Sequence, residues 1–238
     1  MDTGTGSHDG SGLTLHPGVE TLTITGARPG AHLELLSEGT RPVVTVVADP
    51  AGNAHVSFVP ASPTVMATLD DLVVAVGQGD VLAPGDYVVR DHSASPPQEH
   101  GPVRVLAVDD HPAPTAYDQD LPQGFGYLRT RDGTLLSAMV RFPDEGMYGP
   151  PPWPTVVEYS GYGPSNPGAV SPGSLLANLL GFATVGVNMR GTGCSGGVFD
   201  VFSPAQAADG YDVIETVARQ PWVRHGRPGM VWLSYPGI

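Results

Sequence analysis

The chain has 238 residues, 40% of them hydrophobic, with 24 acidic against 11 basic residues and a formal charge of −13. That length accommodates one large domain or two medium ones with a sizeable core, and 32 glycines with 25 prolines in no fixed period mark a loop-rich fold and not a disordered chain. No Lys/Arg cluster could neutralise a run of phosphates, which argues against nucleic-acid partners and anionic membranes, and a single cysteine, Cys194, excludes an internal disulfide and a cysteine-based metal site.

Residues 1–12 are rich in Gly, Ser, Thr and Asp and read as a flexible tail without the apolar segment of a signal peptide. No apolar run approaches the roughly 20 residues that span a bilayer, so a cytoplasmic location is expected. Residues 13–108 alternate short strands with turn residues. The predicted strands are Thr21–Ile24, His32–Leu36, Val43–Val47, His55–Val59, Leu72–Val76, Tyr87–Arg90 and Val103–Val108. Their spacing predicts an all-β, sandwich-like domain, without the Cys…Trp…Cys pattern of immunoglobulin domains. Residues 109–124 hold prolines and aspartates without periodicity and read as a linker.

From Phe125 the pattern changes. Tyr127–Thr130 and Leu135–Phe142 flank Asp132-Gly133, a hairpin signal. Three apolar strands follow, Thr155–Tyr159, Ala183–Asn188 and Gly229–Leu233, separated by helical segments. The first helix, Ser174–Leu180, is closed by Gly181. The second has Ser203 as N-cap, Pro204 at its first position and Gln206 completing a capping-box pattern, and it ends at Gln220-Pro221. Strand–helix–strand–helix–strand predicts a parallel sheet with right-handed crossovers over residues 125–238. The fold class is therefore α/β, an incomplete parallel sheet preceded by the β domain.

The last strand delivers Ser234-Tyr235-Pro236-Gly237. A serine on a tight turn at the carboxyl end of a buried parallel strand has the geometry of a nucleophile elbow, in which the turn lifts the hydroxyl clear of the backbone. From this spacing alone, a hydroxyl in an ordinary turn is an equal alternative.

Further blocks carry a resemblance: Arg131-Asp132-Gly133-Thr134-Leu135, Glu158-Tyr159-Ser160-Gly161-Tyr162, Asn188-Met189-Arg190-Gly191-Thr192-Gly193-Cys194-Ser195-Gly196-Gly197, and Asp209-Gly210-Tyr211-Asp212-Val213-Ile214-Glu215 followed by Gln220-Pro221-Trp222. In order and spacing, Arg131–Gly237 resembles the N-terminal portion of the catalytic domain of X-prolyl dipeptidyl-peptidase and cocaine-esterase-like α/β-hydrolases. The resemblance implies a serine hydrolase that transfers an acyl group from an ester or amide to water. Ser234 would be the nucleophile, and the Tyr235 backbone N–H and the Tyr162 hydroxyl would be the oxyanion donors. It implies a small-molecule ester or peptide substrate and neither a cofactor nor a metal.

Two departures from the family's pattern stand out. Trp232 occupies the position two before the serine where the family has glycine, which crowds the elbow. The family's triad order is Ser, Asp, His, whereas all eight histidines here precede Ser234. A serine without a base is a poor nucleophile, so these 238 residues alone are expected to be inactive, as a truncated fragment. Two alternatives are weighed: a non-catalytic fragment whose β domain is an interaction module, and nucleotide binding by Gly191-Thr192-Gly193-Cys194-Ser195-Gly196. The latter fits G-x-G-x-x-G, but that fingerprint requires its last glycine to open a helix, and here the helix waits until Ser203. Asp209 and Asp212 are expected to partner backbone or Arg190, and His225 to be a solvated loop residue.

Overall fold

A computed structural model describes residues 12–59, 80–200 and 202–231. The chain divides into two compact units, the first formed chiefly by residues up to Asp110 and the second chiefly from His111 onward.

The first unit contains β1 (Thr14–Pro17), β2 (Leu22–Thr25), β3 (His32–Ser37), β4 (Arg41–Val47), β5 (Ala54–Val56), β6 (Phe58–Val59), β7 (Asp80–Val81), β8 (Gly85–Asp91) and β9 (Gln98–Val105). They form one sheet of order β1-β2-β5, one of order β4-β3-β8-β9, and the short pair β6-β7, all antiparallel. Alternation drives this arrangement. In β2, Leu22 and Ile24 are buried while Thr23 and Thr25 are not, and in β8 Tyr87, Val89 and Asp91 turn inward. The inward residues of both sheets, among them Leu15, Ile24, Leu33, Leu35, Val56, Val89 and Val105, join in one apolar cluster, as in a β-sandwich. The predicted strand Leu72–Val76 lies outside the described residues. Strand β1 was not foreseen, because four residues containing a proline carry almost no periodic signal.

The second unit contains β10 (Gly124–Arg129), β11 (Leu135–Arg141), a short α1 (Glu145–Tyr148), β12 (Thr155–Ser160), α2 (Pro172–Leu179), β13 (Ala183–Asn188), α3 (Pro204–Ala218) and β14 (Gly229–Met230). They build a mixed sheet of order β10-β11-β13-β12-β14. The hairpin β10-β11 is antiparallel to its neighbours, while β13, β12 and β14 run parallel. The α/β class is therefore as expected, with the hairpin joining the same sheet. Strand β13 is buried at all six positions, as a central parallel strand requires. The core unites Val157, Val185 and Val187 of the sheet with Val213 and Val217 of α3 and with Trp153 and Trp222.

Helix α2 begins earlier than the predicted Ser174, because Ser171 caps it and accepts the Ser174 N–H while Pro172 occupies its first turn. Helix α3 begins at Pro204 as expected. Its capping box is altered: the Gln206 Oε1 accepts the N–H of Phe202 at 3.1 Å, and Ser203 Oγ finds no partner among the described residues.

The stretch 109–124, expected to be a linker, packs against the second unit over part of its length. Pro114–Tyr117 forms a 3-10 turn, and Tyr117 and Leu121 are buried. The Tyr117 hydroxyl donates to Asp212 Oδ1 at 2.9 Å, Leu121 N–H donates to Gln220 Oε1 at 3.1 Å, and Trp222 Nε1–H donates to the Leu121 carbonyl at 3.3 Å. Residues 114–121 thus strap α3 and the segment after it. Because the Tyr117 hydroxyl serves a buried carboxylate, Tyr117→Phe is expected to destabilise the second unit by about 1–3 kcal/mol, read from denaturant unfolding followed by Trp153 and Trp222 fluorescence.

Candidate active site

Parallel pairing determines where the functional loops emerge. Thr155–Ser160 pairs in register with Ala183–Asn188, and Val156–Val157 with Gly229–Met230. The Val231 N–H continues the β14 ladder onto the Val157 carbonyl at 2.9 Å. The loop carrying Tyr162 and the loop Met189–Gly197 therefore leave the sheet at one edge, the carboxyl ends of its parallel strands, where Val231 also lies. This is where ligands bind in open α/β sheets.

Tyr162 stands at this edge with 71% of its surface exposed, and its backbone N–H donates to Ser160 Oγ at 3.2 Å. Ser234, Tyr235 and Trp232 lie outside the described residues. Beside Tyr162 a groove of about 310 Å³ is lined by Glu158, Pro164, Ser171, Gly173 and Val231, among others. The Glu158 carboxylate is buried there and accepts hydrogen bonds from Ser171 Oγ and from Ser174 Oγ, the latter at 2.7 Å.

The edge loops are tied together by one residue that the sequence reading did not single out. Asn188 ends β13 and is buried. Its Oδ1 accepts from Ser165 N–H at 3.1 Å and Ser165 Oγ at 2.6 Å. Its Nδ2 donates to Thr192 Oγ1 at 3.1 Å, and its carbonyl accepts from Ser195 Oγ at 2.8 Å. Ser195 Oγ in turn accepts the Ser137 N–H at 2.9 Å. A polar residue at the end of the apolar run Ala-Thr-Val-Gly-Val-Asn was the available signal, since a buried amide demands partners.

Several amides of the glycine-rich loop are bonded within the protein. Gly191 N–H donates to the Gly196 carbonyl at 2.8 Å, Ser195 N–H to Thr192 at 2.9 Å, and Gly196 N–H to Leu135 at 2.8 Å. Gly191 has φ +70°, and a Cβ there would sit 2.2 Å from the Phe199 nitrogen, so glycine serves a tight turn. The next helix starts only at Pro204. These amides are not presented to a phosphate, and the geometry does not favour nucleotide binding.

Beneath the loops lies a buried ionic network built from three of the sequence blocks. Arg190 donates from Nε to Asp209 Oδ2 at 2.7 Å, and from Nη2 to Asp209 Oδ1 at 2.6 Å and Asp132 Oδ2 at 2.9 Å. Arg131 donates through its side chain to Asp212 Oδ1 at 2.9 Å and through its backbone N–H to Oδ2 at 2.8 Å. Asp209 thus partners Arg190, as expected, and Asp212 partners both the backbone and the guanidinium of Arg131. Burial pushes the Asp209 carboxyl up to about 6 against the pull of Arg190. Burial also pushes Asp132 upward, but Arg190 and the Thr130 and Thr134 hydrogen bonds outweigh it and hold that carboxyl below its ordinary range. Burial opposes the Arg190 charge, yet the bonds from Asp209 and Asp132 prevail and raise its pKa. These buried bonds tie the segments of Arg131, Asp132 and Arg190 to α3. Among the described residues no cluster of His, Cys, Asp and Glu could hold a metal ion, and no helix is long and apolar enough to cross a membrane.

Residues 132–238 match the family model of X-Pro dipeptidyl-peptidase (S15 family), a hydrolase family, and the resemblance read from the sequence blocks is borne out over this part of the chain. Among solved structures, a CocE/NonD family hydrolase from Staphylococcus aureus is 26% identical, with 45% of this chain and 22% of that chain covered and a TM-score of 0.39. An α-amino acid ester hydrolase is 22% identical, covering 53% of this chain and 23% of that chain, TM-score 0.39. The ferulic-acid-bound Est1E of Butyrivibrio proteoclasticus is 20% identical, covering 44% and 41%, TM-score 0.37. The chain thus spans about a fifth of the staphylococcal hydrolase. No curated protein matches it.

Proposed function

From the family match over residues 132–238 we propose that this chain carries the nucleophile side of a serine hydrolase site, which transfers an acyl group from an ester or amide of a small molecule or peptide to water. Ser234 is the nucleophile, and the Tyr162 hydroxyl and the Tyr235 backbone N–H are the donors to the oxyanion. The observation that supports this reading most directly is the parallel register of β12 and β14, because it brings the exposed Tyr162 and Val231, three residues before Ser234 in the sequence, to one edge of the sheet. A phenol can donate to an oxyanion without surrendering its proton near neutral pH. In such a site it acts only as charge develops on the carbonyl oxygen, so it lowers the barrier without tightening the ground state.

The eight histidines of the sequence all precede Ser234, so a polypeptide of these 238 residues alone lacks the base that follows the serine in this fold. It is expected to show neither turnover nor labelling by a fluorophosphonate. The deciding experiment is to read the gene downstream of Ile238 and to express the chain with whatever reading frame continues there. Covalent fluorophosphonate labelling that Ser234→Ala abolishes is the expected result. Labelling that persists in Ser234→Ala, or a frame with no later Asp and His, would remove the hydrolase reading. In the same longer chain Tyr162→Phe is expected to lower kcat about 10²–10³-fold with KM little changed, measured on a chromogenic ester.

A further inference from the structure

At the other edge of the second unit's sheet, beside the amino ends of β12, β13 and β14, lies a groove of about 300 Å³. Its lining combines apolar Pro154, Val156 and Phe182 with basic Arg224, His225 and Arg227. Among the described residues no carboxylate lines it. Among the described residues none forms an ion pair with these three side chains, although the chain holds 24 acidic residues against 11 basic ones. What marks this spot is that two guanidiniums and an imidazole line one groove whose described lining has no carboxylate.

The segment that carries them is fixed. Arg224 N–H donates to the Trp153 carbonyl at 2.9 Å, and Gly226 N–H to Val223 at 3.3 Å. Val223 itself bridges Trp153 in parallel. Arg224 also donates from Nε to the Pro152 carbonyl at 3.3 Å, which sets one guanidinium beside the start of β12. His225 sits at φ 59°, ψ 12°, a left-handed conformation that costs a non-glycine residue energy and persists only where the surroundings hold it. The two guanidiniums and the His225 imidazole are thus presented from a held loop beside an apolar wall.

We propose that this groove binds a small organic anion: an apolar body, such as a ring or short chain, carrying one carboxylate. The apolar part packs against Val156 and Phe182, and the carboxylate meets the guanidiniums, whose planar forks match its two oxygens. An apolar wall with a few convergent polar groups is the usual make-up of a small-molecule site. A strongly hydrated inorganic ion would gain nothing from that wall. The site is separate from Tyr162 and does not depend on the hydrolase reading.

Equilibrium dialysis of the full 238-residue chain with radiolabelled phenylacetate tests this. Retention is expected, and an excess of neutral phenylacetamide or of inorganic phosphate should displace the label far less well than unlabelled phenylacetate. Arg227→Ala is expected to weaken retention about tenfold, the worth of one charge-assisted hydrogen bond. Arg227 is exposed, so its tryptophan fluorescence and melting curve should match the wild type, and His225→Gln should weaken retention less. Absence of retention at millimolar ligand, equal displacement by the amide or by phosphate, or an Arg227→Ala chain that binds as well as the wild type would each overturn the proposal.

Discussion

Arg190→Met is expected to destabilise the second unit by about 3–5 kcal/mol near neutral pH, and by clearly less near pH 5. The side chains of Arg190, Asp209 and Asp132 are 6%, 1% and 2% exposed. Methionine fills much of the arginine's volume, so the dominant loss is electrostatic: two carboxylates remain buried without a counter-ion. Burial already lifts Asp209 to about 6 with Arg190 in place, and Asp132 is held low chiefly by that same guanidinium. Removing it pushes both carboxyls up in the folded state while the unfolded state keeps ordinary values. A raised folded pKa gives stability that is present below the unfolded pKa and is lost as pH rises through the folded one. The variant should therefore lose stability as pH rises from about 4 through the raised folded-state values of the two carboxyls, and over a wider range than the wild type. The wild type should also lose stability between roughly pH 4 and pH 6, through Asp209, but over a narrower range. On the acid side, the lowered pKa of Asp132 contributes stability that disappears as its carboxyl protonates. Denaturant melts followed by Trp153 and Trp222, both in the core of the second unit, measure this. Equal losses at both pH values would show that the network matters through packing and not through charge.

The contrast between this network and the strap marks what the sequence made legible. The strands Thr155–Ser160 and Ala183–Asn188 and the helix from Pro204 announced themselves because period and capping chemistry are local. The hairpin around Asp132-Gly133 did so through its turn, and Gly133 has φ +88° there. Residues 114–121 gave no such signal. Their hydrogen bonds run to Asp212, Gln220 and Trp222, about a hundred residues further along the chain, and a strap anchored by distant partners has the same local composition as a free linker. Asn188 lies between these cases. Its amide at the end of a buried strand could have been marked as needing partners, but which loops it joins is a property of the parallel register. For the candidate site, the position of Tyr162 at the carboxyl edge followed from the strand order, whereas the serine itself lies beyond the described residues.

Gly186→Ala and Gly126→Ala should change stability in opposite directions, although both are glycines inside strands of one sheet. Glycine in a strand interior ordinarily costs roughly 0.5–1 kcal/mol relative to alanine, through the freedom it has when unfolded. At Gly126, in the edge strand β10, an added Cβ meets nothing within 4 Å, so Gly126→Ala should gain about that amount. Gly186 sits in the central strand β13, opposite Met139 on one side and Glu158 on the other. A Cβ there would lie 2.2 Å from the Pro164 carbonyl oxygen and 2.7 Å from its carbon. These are backbone atoms, so no rotamer can relieve the contact, and the loop from Tyr162 to Ser165 must lift from the sheet. Lifting it strains the bonds from Ser165 to Asn188 Oδ1. The expected cost is about 1–3 kcal/mol or more, seen in the same tryptophan melts, with faster amide exchange at Ser165. If Gly186→Ala were neutral, the loop would be free to move off β13, and Tyr162 would not be held at the carboxyl ends of the parallel strands. A loss confined to Gly186→Ala would instead show that the absence of one methyl group lets the Tyr162–Ser165 loop lie against the sheet.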